Sequence, residues 1–427
     1  MGIRFIYGRA GSGKSTFCLN EIKKKVTEDN NKLIYIVPEQ YTFQRETMLL
    51  HVVGEAGLIK SQVLSFKRMA HRVFEKCGGR VNVVMSDSGK SMLIHKILQN
   101  TQDELKYFNR ISREQGFTNI ISDTLTEMKK YNITPEIIQE KISDISNDEL
   151  KNKLSDLQLI YNEYNKNVDE KVIDTDDELT LLANKLLISD IYDGAEIWID
   201  EFTTFTPQQL DVIQILAKRC KRVNITLCMD ELSNGENNEV TDIFNGIKNT
   251  ESKIIGLMQK SNINYDGSID LNDNKDNRFA YNKELGHLEK YYYTYPIQSY
   301  NEDISNIRLY KASNTYDEIE VIAKEILRLV REENYRYKDI SVVCRNIDNY
   351  EKITKVVFNE YKIPYFIDKK IDILSNPLVI LILSAFEIYI KNWSYESVFK
   401  YLKSGLTGIG KEDIDILENY ILANGIK

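Results

Sequence analysis

Ile3-Arg4-Phe5-Ile6-Tyr7-Gly8-Arg9-Ala10-Gly11-Ser12-Gly13-Lys14-Ser15-Thr16 stands at the head of the chain. An apolar run, read as a strand, feeds into G-x-x-x-x-G-K-S, and Phe17 to Val26 continue with a helix-like pattern. Strand, glycine-rich loop and helix in that order are the context a phosphate-binding loop requires. Without Cβ atoms at Gly8, Gly11 and Gly13 the backbone can wrap closely around phosphates, and its N–H groups at the positive end of the helix point inward. This makes Gly8, Arg9, Ala10, Gly11, Ser12, Gly13, Lys14, Ser15 and Thr16 a candidate ATP-binding segment. Lys14 would reach the β- and γ-phosphates, and Ser15 would ligate Mg²⁺.

The 427 residues exceed one ordinary domain, and the 42% apolar fraction supports sizeable cores. Net charge is −8, with a pI of about 5.4, so no global basic field advertises nucleic acid, and any such binding must use a local basic strip. No apolar run approaches the length of a membrane span, and the N-terminus enters a strand at Ile3 without a signal-peptide pattern, which makes the cytoplasm the default expectation. The five cysteines contain no C-x-x-C pair, and the four histidines show no metal-ligand spacing.

Outward from the loop, Lys32 to Val37 read as a buried parallel strand that stops at Pro38, completing a βαβ unit. Ser61 to Phe66 is a further strand, followed by a basic helical stretch. Ala195 to Asp200 and Arg222 to Met229 supply two more strands. Residues 87–190 between them are helical in pattern, with Leu150, Leu154, Leu157, Tyr161 and Tyr164 on one stripe. The expected organisation is therefore α/β: a P-loop lobe from residues 1–86 and 191–299, and an inserted helical subdomain at 87–190. A partial second lobe at 300–427 follows. Ser261 to Asn282, polar and Asn-rich, reads as loop. In the second lobe Ile307 to Lys311, Ile340 to Cys344 and Ile363 to Ile367 read as strands, alternating with helices at Asp317 to Arg331 and Glu351 to Tyr361. With no closing strand, that lobe looks unfinished, as in a fragment of a longer protein.

Asp200-Glu201 closes an apolar strand of the sheet that carries the phosphate loop. There Asp200 would hold Mg²⁺ through water, and Glu201 would orient or deprotonate the attacking water. The alternative is a strand end with two solvated carboxylates. Arg345, after the Ile340 to Cys344 run, could sense the γ-phosphate in a two-lobed motor, or simply be an exposed strand-end arginine. Gln40, Tyr41 and Phe43 leave a strand at its C-terminal end, where ligands of open parallel sheets bind. Ser65, Phe66, Lys67 and Arg68 leave another. Together they suit a single-stranded nucleic-acid path through stacking and phosphate contacts, against the alternative of capped turns and buried aromatics.

Several stretches together resemble the AddB family, the second components of bacterial AddAB helicase-nucleases, related to superfamily 1 UvrD-like helicases. They are Gly8 to Ser15, Val37-Pro38-Glu39-Gln40-Tyr41-Thr42-Phe43, Val63-Leu64-Ser65-Phe66, Ile197 to Phe202 with Phe205-Thr206-Pro207-Gln208, Tyr337-Lys338-Asp339-Ile340, and Ile363 to Asp368. The resemblance implies a UvrD/RecA-like parallel sheet, part of a second RecA-like lobe, and ATP-linked processing of broken DNA for recombination, in a heterodimer with an AddA motor chain. It also implies scanning of single-stranded DNA for a recombination hotspot. Family members are longer, and their Mg²⁺-dependent nuclease domain and four-cysteine iron–sulfur cluster would lie beyond this chain. Two departures from an active motor stand out. No glutamine motif fits before Ile3, and Phe202-Thr203 follow Asp200-Glu201 where a motor usually places Gln or His after one more residue. The expected function is thus a nucleotide- and DNA-binding helicase-like region, with a non-hydrolysing scaffold as the alternative.

Overall fold

In the computed structural model, which describes residues 2–28, 31–78, 83–168, 172–233, 241–275, 277–368 and 373–426, the chain divides into two compact units. The first ends at Ile307 and the second begins at Arg308. In the first, β1 (Gly2–Tyr7) leads to α1 (Lys14–Glu28), β2 (Leu33–Ile36), α2 (Thr42–Gly57), β3 (Ser61–Leu64) and α3 (Phe66–Cys77). Next come β4 (Val83–Val84), the helices α4 (Asp87–Thr101), α5 (Gln115–Lys130), α6 (Pro135–Ser143) and α7 (Asp148–Asn167), and β5 (Val172–Ile173). The chain then returns through α8 (Glu178–Ile188), β6 (Glu196–Ile199), α9 (Pro207–Arg219) and β7 (Arg222–Leu227). It continues into α10 (Asn245–Ser261), β8 (Asn264–Asp270) and α11 (Lys283–Tyr291).

Six strands form one parallel sheet in the order β3-β2-β6-β7-β1-β8, and β4 pairs with β5 separately. A parallel sheet needs cover on both faces, and the side-chain alternation of its strands provides it. Ile34, Ile36, Ile197, Ile199, Ile3 and Phe5 enter one core with residues of α3, α8, α9 and α10. Leu33, Tyr35, Trp198 and Ile6 enter the other, against Cys18, Leu19 and Ile22 of α1 and Leu49 of α2.

The α4–α7 block has its own core, built from Ile94, Leu98, Phe117, Ile121, Leu125, Leu157, Ile160 and Tyr164. The α7 stripe is buried from Leu157 onward, whereas Leu150 is exposed. Asp156 is buried here, and its carboxylate accepts the N–H groups of Lys106 (3.0 Å), Tyr107 (2.7 Å) and Phe108 (2.9 Å).

Two expectations need correction. Residues 261–282 are not wholly loop, because β8 lies within them and pairs with the open side of β1. Its sequence, Asn-Tyr-Asp-Gly-Ser-Ile-Asp, escapes a hydrophobic-pattern reading because an exposed edge strand is held by backbone pairing rather than by apolar side chains. Gly267, at φ +85°, sits where the register slips between Ile3 and Phe5.

The second unit contains α12 (Thr315–Glu332), α13 (Ile347–Glu360), α14 (Pro377–Ile390), α15 (Tyr395–Leu402) and α16 (Lys411–Ala423). Asn314 caps α12 through the N–H groups of Tyr316 and Asp317, and Ile319, Ala323 and Ile326 pack with Val357 and Phe358 of α13. Among the described residues of this unit there is no strand, so Ile307 to Lys311, Ile340 to Cys344 and Ile363 to Ile367 are irregular. Their apolar residues mimic a strand pattern, but a strand exists only by pairing, and Leu309, Val343 and Phe366 stand almost fully exposed.

Replacing Asp156 with Ala would strand buried N–H groups. We expect Asp156→Ala to destabilise the α4–α7 block by roughly 3 kcal/mol in urea titrations followed by circular dichroism, and Asp156→Asn by less. Equal midpoints for wild type and Asp156→Ala would contradict this account.

Candidate nucleotide-binding site

The loop between β1 and α1 is built from both neighbours of β1. Gly8 N–H donates to Leu227 O (3.2 Å), and Leu271 N–H donates to Tyr7 O (2.9 Å), so pairing continues to the loop's first residue. Gly11 and Gly13 then take φ of +77° and +92°, the left-handed region that side-chain-bearing residues avoid. Phe17 N–H closes the first turn of α1 onto Gly13 O (2.8 Å). Lys14 Nζ reaches back to Gly8 O (2.6 Å) and Arg9 O (2.9 Å), drawing the loop into a ring.

Whether this ring suits phosphate can be judged from what it leaves unpaired. Among the described residues, the N–H groups of Lys14, Ser15 and Thr16 have no protein acceptor, as a helix N-terminus requires. The Ser12 hydroxyl is buried without a partner. Donors converging in one concave turn at the positive end of α1 fit a polyphosphate.

A strap from the far end of the unit holds the outer side of the loop. Asn272 Oδ1 accepts Arg9 N–H (2.8 Å), Asn274 Nδ2 donates to Ser12 O (2.9 Å), and Arg278 N–H donates to Gly11 O (2.9 Å). A Cβ on Gly11 would come within 2.9 Å of the Phe279 ring, a second reason for glycine there. The Arg9 side chain points outward: its Nε lies 3.1 Å from both Glu289 carboxylate oxygens, its Nη2 donates to Glu289 O (2.7 Å), and its guanidinium covers Phe244. Arg9 therefore contributes to the loop through its backbone. Ala10 and Thr16 are exposed, and Ser15 is half-buried at the helix start.

Asp200, at the end of β6, is buried. It accepts from Tyr35 Oη (2.5 Å), Thr226 Oγ1 (2.6 Å) and Glu201 N–H (2.9 Å). Burial, reinforced by the Asp200 charge, pushes the Tyr35 hydroxyl well above its ordinary range, so Tyr35 remains a donor. The same two causes, in that order, raise the buried Cys18 thiol on α1, which places α1 and Asp200 within one another's field. Glu201 is left-handed at φ +67°, and Arg45 of α2 grips its carboxylate through both Nη2 and Nε, the latter at 3.3 Å from Oε2. Ser15 and Asp200 carry the oxygen donors that Mg²⁺ takes, but the Asp200 carboxylate already accepts the three hydrogen bonds above. Among the described residues no group of three or more His, Cys, Asp or Glu side chains could hold a metal. Arg345 is exposed at a bend before α13 in the second unit.

The expected nucleic-acid residues divide by exposure. Gln40, Tyr41 and Lys67 are exposed, and Phe43 is 78% exposed. Phe66 is buried against Phe202 with ring centroids 5.5 Å apart, edge to face, so it braces the surface rather than offering an open stacking face. Ser65 caps α3 by accepting Arg68 N–H (3.1 Å) and donates its hydroxyl to the Glu39 carboxylate. Arg68 Nη1 pairs with Glu46 (2.6 Å). At this end of the sheet a cavity of about 320 Å³ is lined by Glu39, Phe66, Lys67, Lys130, Phe202 and Gln209 among others.

Lys130, Gln209, Arg45, Asn272, Asn274 and Glu289 were missed from sequence. Only Gln209 carried a signal, since Thr206-Pro207-Gln208-Gln209 is a capping box that the structure forms.

Comparison with known proteins bears on the whole arrangement. The family description "ADDB, N-terminal" matches residues 5–289, and "UvrD-like helicase C-terminal domain" matches residues 260–426. A Clostridium perfringens (strain 13) protein, named as the B subunit of an ATP-dependent helicase/deoxyribonuclease, is 53% identical over 435 residues, covering 100% of this chain and 37% of that protein. Same-named proteins of Clostridium botulinum (strain Loch Maree) and Thermoanaerobacter sp. (strain X514) are each 48% identical over 428 residues, with the same coverage. The chain thus spans 37% of the length of these curated relatives. No helix among the described residues is long and apolar enough to cross a membrane. The phosphate loop, both strand-end carboxylates and the strap all fall inside the matched span, and the chain belongs to the AddB family.

Proposed function

We propose that this chain is the nucleotide- and DNA-binding N-terminal region of the AddB component of a cytoplasmic ATP-dependent helicase/deoxyribonuclease, one that processes double-strand breaks for recombinational repair with an AddA motor chain. The observation that carries nucleotide binding is the ring at Gly8 to Lys14, with its unpaired Ser12 hydroxyl and free first-turn N–H groups. Lys14 would neutralise phosphate charge there, and Ser15 with Asp200 would hold Mg²⁺, whose contribution is to neutralise charge developing on the phosphates. Glu201 is the candidate base, and Arg345 of the second unit the candidate phosphate sensor. The nuclease and iron–sulfur chemistry that the family resemblance implies is assigned to none of these residues.

For DNA, the exposed Tyr41 and Phe43 offer stacking, and Lys67 and Lys130 at the sheet-end cavity offer phosphate contacts. A second reading, a scaffold that binds ATP without hydrolysing it while reading DNA and docking the motor, is favoured by a specific observation. Asp200 is already engaged by Tyr35 and Thr226, and Glu201 by Arg45.

Titration with a fluorescent ATP analogue tests the loop: Lys14→Ala should weaken binding at least tenfold, about 1.4 kcal/mol, and unchanged affinity would overturn the assignment. Arg345→Ala should lower phosphate release while leaving ATP affinity within about threefold, as expected of a group acting on the transition state. For DNA, Lys67→Ala/Lys130→Ala should flatten the salt dependence of single-strand binding by about 1.4 in the log–log slope, given roughly 0.7 per lost phosphate contact. An unchanged slope would remove these lysines from the path.

A further inference from the structure

Arg45 lies in the first turn of α2, two residues after Phe43 of the exposed set Gln40, Tyr41 and Phe43. Its fork holds both carboxylate oxygens of Glu201, and the two side chains are only 13% and 24% exposed. Such a bidentate, part-buried pair occupies the lone pairs with which Glu201 could accept a proton from water. The backbone of Glu201 is meanwhile held in a left-handed conformation, so its direction is imposed by its surroundings.

The other end of the same helix turn is tied down by charge. Glu46, next to Arg45, accepts from Arg68 of α3 at 2.6 Å, and the same guanidinium stands 3.9 Å from Glu39, which also receives the Ser65 hydroxyl. Arg68 is 41% exposed and follows Lys67, which lines the sheet-end cavity. Backbone phosphates of a single strand offer an arginine of this kind the same two oxygens and full charge as the carboxylates do, and so compete with them for it. Taking Arg68 from Glu46 and Glu39 would remove the ion pairs that join the start of α2 and the turn before it to α3, and Arg45 is the chain neighbour of Glu46.

We propose that Arg45 is a positioning residue that latches Glu201 in an inactive state, and that single-stranded DNA at Gln40 to Phe43 and Arg68 opens the latch. This rests on the reading of Glu201 as the base above. With the latch closed, the water that must attack the γ-phosphorus lacks its proton acceptor. With it open, Glu201 takes the water proton as the new P–O bond forms. The bond to the β–γ bridging oxygen breaks, ADP leaves with that electron pair, and the proton passes on to solvent. Coupling of this kind needs an element that both ligands bias, and the first turn of α2 is that element.

The test uses the chain as it stands and two readouts. Without nucleotide, hydrogen–deuterium exchange over Thr42 to Leu49 and Asp200 to Phe205 should rise in wild type when a short oligodeoxythymidine is added. In Arg45→Gln it should already be high. With ATP, Arg45→Gln should raise DNA-independent phosphate release at least tenfold, Arg45→Lys should stay near the wild-type rate, and Arg45→Gln/Glu201→Gln should show none. A merely structural arginine would lower turnover, or leave it unchanged, in Arg45→Gln. If ATP binds with wild-type affinity but Arg45→Gln turns over no faster, the latch is refuted and the scaffold reading stands. If no variant binds ATP, the nucleotide assignment fails separately. Exchange that ignores DNA would then refute the latch on its own.

Discussion

Backbone pairing along both sides of β1 is the constraint on which the first unit depends. β7 and β8 come from more than two hundred residues downstream, yet they flank the first strand. Their ladders run to Tyr7 and Gly8, so the phosphate loop leaves a strand that is fixed on both edges. A loop rich in glycine has many conformations to lose, and a rigid origin with a helical destination in α1 reduces what the loop must lose to take its ring shape. The side-chain alternation that buries Tyr35 and Trp198 on one face and Ile36 and Ile199 on the other serves the same end. It fixes β2 and β6 so that Pro38 and Asp200 follow them at the C-terminal end of the sheet.

Buried polar groups in this unit are paired almost throughout. Arg4 reaches Asn224 (2.7 Å) and Glu21 (2.5 Å), and Glu21 also receives Trp198 Nε1 (2.8 Å). Asp200 is similarly enclosed by Tyr35 and Thr226. Such networks fix side-chain direction, because an abandoned buried donor or acceptor costs about 1–3 kcal/mol. Among the described residues the Ser12, Thr118 and Tyr192 hydroxyls are buried without a partner, and Ser12 is the one of the three that lies in the loop leading to the open N–H groups of α1.

The elements legible in the sequence are those whose local chemistry and final environment agree. The glycine-rich loop announces itself through glycine spacing, β2 and β6 through largely apolar runs buried on both faces, and α12 through its helical pattern. β8 was hidden because an edge strand pairs through its backbone and wears polar side chains. The second unit misled in the opposite direction: Ile340 to Cys344 has strand-like residues, but a strand also needs a neighbour, which no single segment encodes. At the site, Phe66 looked like a stacking platform because aromatic residues near basic ones suit single strands, and only its packing against Phe202 shows that the ring is committed inward. The Arg45–Glu201 pair and the strap join positions far apart in the chain, and no local pattern can carry such information.

The strap has a consequence for how the protein comes into being. Synthesis delivers the glycine loop long before the strap, so its outer carbonyls and the Arg9 side chain find their partners only when Asn272 to Glu289 have left the ribosome. Domains fold largely as units during synthesis, with earlier segments waiting on later ones where contacts are non-local. A segment made early therefore acquires its final shape late, and the loop's finished form serves as a certificate that the whole first unit has been made and assembled.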